Sequence, residues 1–471
     1  MHRSPPVLLL LLLLCCYLSG GRANRVYIHP FHLFAADNVS CETLQNHTSK
    51  PLDAVSVAPL DMAVLTPYER DPSERDNRTQ DATQRTAVLA ELLNSLGLRM
   101  YQALSGKRPG ANALFSPVGT YGSLVTFDLG ASKKTARSFQ DLLGLSSGTD
   151  REDCVSLVDG RKVLKTLHRI TSPVDDGLED EITTRVWLFT RPHVRLSQDV
   201  IQGGRDFADM FFARGVEFST DENPEQPINS FVEKTSGGKV KDAFKDVDVN
   251  FNLLFLTSFN FRGNWKTAFR PQKTSLQEFT VDETTTVMTP LMTHTGLYHY
   301  YNDKMRRCTV VKLSLSKHSY MLLVLPHDAT NLQDVEAKLR TDVISSWYHN
   351  LHQGLLELSV PKFSSSSAND VRDLLGNMDP EVESRLLGSQ AEFSRLANAQ
   401  TFNIDKAVNV VSFEMSEEGA ASLDEKEEEE EKKEEAGVAV KVSLNKPFFF
   451  SVMEEESNAM LLLGKITNPT L

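Results

Sequence analysis

The chain has 471 residues, 40% of them hydrophobic and 24% charged, with a formal charge of −13. That composition can bury a large core, which excludes wholesale disorder and a collagen-like fibre, and length alone suggests about two to four domains. The acidic balance argues against a nucleic-acid binder, which requires a basic patch or stripe.

At the N-terminus, His2 and Arg3 precede an unbroken apolar run from Val7 to Leu14, followed by Gly20, Gly21, Arg22 and Ala23. This predicts a secretory signal peptide over residues 1–23, cleaved between Ala23 and Asn24. The run is short for a membrane span, and no second stretch of about 20 apolar residues follows it. The expected mature protein is soluble, acidic and secreted to the extracellular space. Cys15 and Cys16 leave with the signal, and Cys41, Cys154 and Cys308 remain. An odd number of cysteines in an oxidising compartment implies one bridge and one free thiol, with three possible pairings.

Residues 34–85 show no sustained apolar period, and Pro51, Pro59, Pro67 and Pro72 punctuate them. Acceptor sequences for N-glycosylation fall at Asn38, Asn46 and Asn77 and nowhere else, which predicts an exposed, glycosylated tail. From Thr86 the pattern becomes globular, and a folded domain is expected over 86–471. Val88, Leu89, Leu92, Leu93, Leu96, Met100 and Leu104 recur at helical spacing. Ser116 with Pro117 reads as an N-cap followed by proline at the first helical position, opening a helix that stops near Gly130. A further helix is expected from about Ser132 to Leu143, closed by Gly144.

Strands are expected at Ile182–Thr190, Leu253–Phe261, Met321–Leu325 and Leu355–Phe363, with a C-terminal hairpin from Pro447–Met453 and Ala459–Ile466. The Leu253–Phe261 run is almost wholly apolar, as in a strand buried on both faces. The class is α+β. Asp424–Glu435 holds nine acids and three lysines; such a run repels itself and stays solvated.

Catalytic motifs are absent. There is no G-x-S-x-G elbow and no phosphate-binding loop, and Ser236-Gly237-Gly238-Lys239 lacks that loop's spacing. His294 and His299 are five apart, wrong for one helical face, and no C-x-x-C or H-E-x-x-H spacing suggests a metal. No enzyme activity, cofactor or metal is expected.

Several segments resemble the serpin superfamily over roughly 360 residues: Asn112-Ala-Leu-Phe-Ser-Pro, Ile228–Asp242 (Ile-Asn-Ser-Phe-Val-Glu-Lys-Thr-Ser-Gly-Gly-Lys-Val-Lys-Asp), Leu256–Trp265, Val360-Pro-Lys-Phe, Asn445-Lys-Pro-Phe-Phe-Phe and Gly464-Lys-Ile-Thr-Asn-Pro. The resemblance implies a single large domain with three β-sheets, eight or nine helices and an exposed reactive-centre loop between Met415 and Pro447. Glu417, Glu418, Gly419 and Ala420 resemble the start of the family's hinge, but Leu423-Asp-Glu-Lys-Glu-Glu departs from it. Inserting Asp424–Glu435 as a strand would bury several carboxylates at several kcal/mol each. An inhibitor of an extracellular serine protease is therefore the weaker alternative, and nothing in the sequence speaks for or against a small-ligand carrier.

Asn24-Arg-Val-Tyr-Ile-His-Pro-Phe-His-Leu33 resembles the angiotensin family of peptide hormones, with Asn24 in place of Asp. This implies a hormone precursor cut between Leu33 and Phe34 by the aspartic protease renin. A zinc dipeptidyl carboxypeptidase would then remove His32-Leu33, leaving an octapeptide ending at Phe31. That octapeptide would act on a G-protein-coupled receptor, with Arg25, Tyr27, His29 and Phe31 as contacts. Val26, Tyr27 and Ile28 favour extended backbone, and Pro30 biases His29 the same way. The reading predicts a mobile, extended terminus able to enter a protease cleft as an added strand. The resemblance also implies a tether from tail to body. Cys154 lies in the polar Asp150-Arg-Glu-Asp-Cys segment and Cys308 precedes an apolar, strand-like stretch, so the expected bridge is Cys41–Cys154, with Cys308 free.

Overall fold

The strand Leu253–Arg262 is buried along all but its last residue because it is walled on both faces. Leu253, Phe255, Phe259 and Phe261 point into the main core, and Leu254 and Leu256 into a second, smaller core. Successive strand side chains face opposite ways, so a continuous apolar run is what two flanking cores require. The second core is built on Trp187, Phe189, Phe212, Phe231 and Phe244. It is covered by the helix Glu225–Thr235, whose Thr235 Oγ1 accepts a hydrogen bond from Trp187 Nε1 at 2.8 Å. Gly237 and Gly238, both at positive φ, close that helix: the Gly238 N–H returns to the Glu233 carbonyl. The Ser236–Lys239 sequence is thus a helix terminus.

The structure, a computed structural model, describes residues 29–36, 52–69, 80–146, 158–172, 181–217, 225–262, 265–266, 269–315, 318–327, 331–398, 402–417 and 439–471. Its main sheet has six strands in the order Phe363–Asp370, Ile404–Met415, Leu253–Arg262, Glu181–Thr190, Met210–Gly215 and Ala58–Pro59. Ile404–Met415 pairs directly and in parallel with Leu253–Arg262, as far as Glu414 opposite Arg262. Under this junction lies the helix Pro117–Gly130, capped as expected by Ser116 Oγ, which accepts from the Gly119 N–H at 3.0 Å. Its Thr120 and Ser123 hydroxyls meet the Asn409 side chain at 2.8 and 3.2 Å, and Ser123 also meets Thr257 at 3.0 Å. This buried polar set ties the helix to both central strands.

A second sheet has nine strands, and a third pairs Ala54–Ser56 with Arg195–Ser197. The expected C-terminal hairpin is present as Phe448–Glu454 and Met460–Ile466, all fourteen residues buried. The expected Leu355–Phe363 strand is two: His352–Pro361 in the nine-stranded sheet and Phe363–Asp370 in the main sheet, meeting at Lys362. Eleven helices stand among the described residues, more than the resemblance implied, and two have only five residues. The first long helix begins at Gln80, ahead of Thr86. Residues 52–69, expected to be exposed, have much of their backbone paired to the body.

Asp128, buried in the Pro117–Gly130 helix, is pushed up to about 7 by burial, opposed by the Gln140 amide at 3.3 and 3.4 Å and by the charge of Arg395. The folded state therefore keeps this proton at pH values where the unfolded chain has lost it. Stability falls as pH rises from about 4 to about 7, and the penalty is complete above that. Asp128→Asn should stabilise the protein at pH 8 and have little effect at pH 4, read by chemical denaturation; equal effects at both pH values would contradict the assignment.

Candidate functional site: the docked N-terminal turn

Residues Pro30–Phe34 form one helical turn. His29 is extended (φ −62°, ψ 133°), as a residue before proline prefers. It acts as N-cap, its Nδ1 accepting from the Phe31 N–H at 3.3 Å, and Pro30 occupies the first helical position. The mobile, extended terminus that was expected is extended in the backbone of His29 but not over Pro30–Phe34, where proline starts a turn that carries Phe34 into the core. The turn packs on the helices Gln80–Lys107 and Gly160–Thr171, with Phe34 fully buried and Leu33 partly buried. His32 is exposed, and its ring meets those of Phe31 and His29 edge-on at 5.6 and 6.3 Å.

The backbone just after the Leu33–Phe34 bond is held as well. The Phe34 carbonyl accepts from the Asp159 N–H at 2.8 Å, and Ala35 forms an antiparallel bridge with Val158. Lys162 Nζ donates to the Ala35 carbonyl at 2.9 Å. Asp159 has two roles, since its carboxylate also caps Gly160–Thr171 by accepting from the Lys162 N–H at 3.1 Å. Burial of a phenylalanine side chain is worth about 1.5–3 kcal/mol. Each hydrogen bond adds about 0.5–1.5 kcal/mol net. The Phe34 side chain and the two hydrogen bonds together hold the turn by roughly 3–6 kcal/mol, toward the low end of the ~5–15 kcal/mol that holds a whole domain together.

Ala23, Asn24, Arg25 and Tyr27 lie outside the described residues, as do Cys41, Cys154, Asn38, Asn46, Asn77, Glu418, Gly419, Ala420 and the run Asp424–Glu435. Glu417 is described. Its carboxylate accepts from Lys362 Nζ at 2.6 Å and from Thr274 Oγ1 at 3.2 Å. Burial pushes its pKa up, but these bonds outweigh burial and the net shift is downward. Trp265 Nε1 donates to the Ser416 carbonyl at 2.6 Å. The chain leaving Ile404–Met415 is thus fixed at the end of the main sheet, where the hinge was expected to start.

His294 and His299 share one strand, Thr286–Asp303, at odd spacing and so on opposite faces; His294 is buried beside Tyr298 OH at 2.7 Å and His299 is exposed. Among the described residues no group of three His, Cys, Asp or Glu could hold a metal ion, and no helix is long and apolar enough to cross a membrane. Sequence reasoning missed Asp159 and Lys162. Their one visible signal was the capped, basic Asp159-Gly-Arg-Lys start of a helix.

The profile of the family described as "Serpin (serine protease inhibitor)" matches residues 91–469. The chain belongs to the serpin family. Within it, this serpin is 30% identical to angiotensinogen of Bos taurus over 95% of its own length and 94% of the relative's. It is 27% identical to angiotensinogen of Homo sapiens with the same coverage. Human thyroxine-binding globulin superposes with a TM-score of 0.68 at 23% identity, covering 82% of this chain and 99% of that one. Mouse protein-Z dependent protease inhibitor does so with a TM-score of 0.69 at 22% identity, covering 82% and 99%. Both likenesses are of fold.

Cys308 is a free cysteine, fully buried on the strand Cys308–Ser314 opposite Asp303. Burial, with the neighbouring Asp303 charge, pushes its thiol up to about 12, so it stays protonated and unreactive. A thiol reagent at pH 8 should label Cys308 only after denaturation, and non-reducing peptide mapping should show Cys41 joined to Cys154. Rapid labelling of the native protein, or any bridge to Cys308, would contradict this.

Proposed function

We propose that this serpin is a secreted hormone precursor. Its Asn24–Leu33 decapeptide is released by a renin-type aspartic protease and trimmed by a zinc dipeptidyl carboxypeptidase to a vasoconstrictor octapeptide. The octapeptide acts on a G-protein-coupled receptor to regulate blood pressure and salt balance. The body carries and presents the peptide, is itself no enzyme and inhibits no protease. The observation that carries the reading is the angiotensin-like decapeptide placed directly before the latched Leu33–Phe34 bond, in a chain similar to angiotensinogens over nearly its whole length. Blood plasma as location, glycans at Asn38, Asn46 and Asn77, and the Cys41–Cys154 tether belong to the same reading. The acidic run after the hinge weighs against an inhibitor, because strand insertion would bury its carboxylates.

The latch gives the precursor a resting state. An aspartic protease takes its substrate as an extended strand, whereas the docked segment is a helical turn with Phe34 in the core. Cleavage therefore requires Phe34 to leave its site and Pro30–Phe34 to extend. Asp159 and Lys162 hold the closed form through the Phe34 and Ala35 carbonyls.

Two outcomes follow. Incubation with renin should release a single peptide with the mass of Asn24–Leu33, read by mass spectrometry; its absence would end the assignment. Lys162→Met removes one bond of about 1 kcal/mol from the closed form and should raise the rate of decapeptide release about fivefold. An unchanged or lower rate would show that the latch does not limit access.

A further inference from the structure

The strand Met210–Gly215 pairs on one side with Glu181–Thr190 and would otherwise end the main sheet. Edge strands normally leave a row of unpaired N–H and C=O groups, a template for pairing with another chain. Here Phe211 to Gly215 are all buried. Residues 52–69 cover them as an arch. Ala58 and Pro59 pair in parallel with Arg214 and Gly215, and the Leu60 N–H donates to the Gly215 carbonyl at 2.8 Å. Proline fits such a position, since its missing N–H faces away from the ladder. The arch turns over Asp61, whose carboxylate accepts from the Ala63 N–H at 2.8 Å, and returns where the Tyr68 N–H donates to the Phe211 carbonyl at 2.7 Å. The Tyr68 and Phe211 rings pack 5.8 Å apart. Val55, Val57 and Tyr68 reach the main core, and Leu60 and Met62 the second.

Three arginines from three consecutive elements hold the arch by its backbone. Arg195 donates to the Ala54 carbonyl. Arg205, on the helix Gln198–Phe207, donates to the Glu69 carbonyl, its Nε at 2.7 Å. Arg214, 4% exposed, donates to the Thr66 carbonyl at 2.7 Å and lies over the Phe231 ring at 5.3 Å. Guanidinium groups suit this task because they stay charged and present several donors in a fixed plane. Binding to neutral carbonyls also makes the clamps less sensitive to salt than ion pairs.

We propose that residues 52–69 are a resident edge strand, clamped by Arg195, Arg205 and Arg214, that prevents a second copy of the chain from pairing with Met210–Gly215. The strap lies downstream of Leu33–Phe34, so it stays in place whether or not the decapeptide has gone. The proposal therefore stands independently of the hormone reading.

The test uses full-length protein, hydrogen exchange and sedimentation velocity. In wild type the Leu60 and Tyr68 amides should be protected and the protein monomeric. Arg195→Gln with Arg205→Gln should speed exchange at both amides at least about tenfold, while Phe255 in the central strand stays protected and confirms the fold. Concentration-dependent dimers and larger species should then appear, and a synthetic peptide of residues 52–69 should suppress them. Coil-like exchange at Leu60 and Tyr68 in wild type would overturn the proposal. So would a released strap in a variant that stays monomeric at every concentration. If the double variant leaves both amides protected, Tyr68→Ala is added; protection persisting even then refutes the clamps.

Discussion

Phe34 cannot occupy the core of the body and a protease cleft at the same time. Its side chain fills a dry site between two helices, and its carbonyl is spent on the Asp159 N–H. Everything else at the N-terminal end follows from that exclusion. The helical turn delivers Phe34, while His29 and Pro30 set the entry angle and Lys162 and Asp159 add polar ties. A latch of a few kcal/mol is open in a small fraction of molecules, so on the proposed reading the Leu33–Phe34 bond is protected without being sealed.

The rest of the architecture keeps this latch on a rigid support. The Gly160–Thr171 helix packs on Gln198–Phe207, and that helix carries Arg205, one of the strap's anchors. Among the described residues the tail meets the body at Pro30–Ala35 and again over 52–69. Farther along the chain, Trp265, Lys362 and Thr274 fix Ser416 and Glu417, while Ser123 of the helix beneath meets Asn409 and Thr257, one on each central strand of the main sheet. These are devices of a body whose central strands are already paired with each other.

Much of this was legible in the sequence. The Ser116-Pro117 cap, the αL glycine at Gly144 and the apolar run Leu253–Phe261 each carry a local physical signal that the fold obeys. The two-strand division at Lys362 was not legible, because the change of sheet is set by strand partners far away in the chain. The docked turn was missed because Val26, Tyr27 and Ile28 favour extended chain and Pro30 biases His29 the same way, whereas Pro30 is equally suited to the first position of a helix. Tertiary burial of one side chain decided between them. The strap was missed because only Val55 and Val57 follow a period of two there, among prolines, and its arginine anchors lie more than a hundred residues away. Contacts of that kind leave no mark in a local window.

The account is tested most directly by hydrogen exchange at the Asp159 amide, whose partner is the Phe34 carbonyl. It should be measured in the free protein and in complex with a renin made inactive at its catalytic aspartates. The account predicts a protected amide in the free protein and loss of that protection in the complex, as Phe34 leaves the core and its carbonyl turns to the protease. An amide that exchanges freely in the unbound protein, or one that stays protected with renin bound, would show that cleavage proceeds without opening the latch.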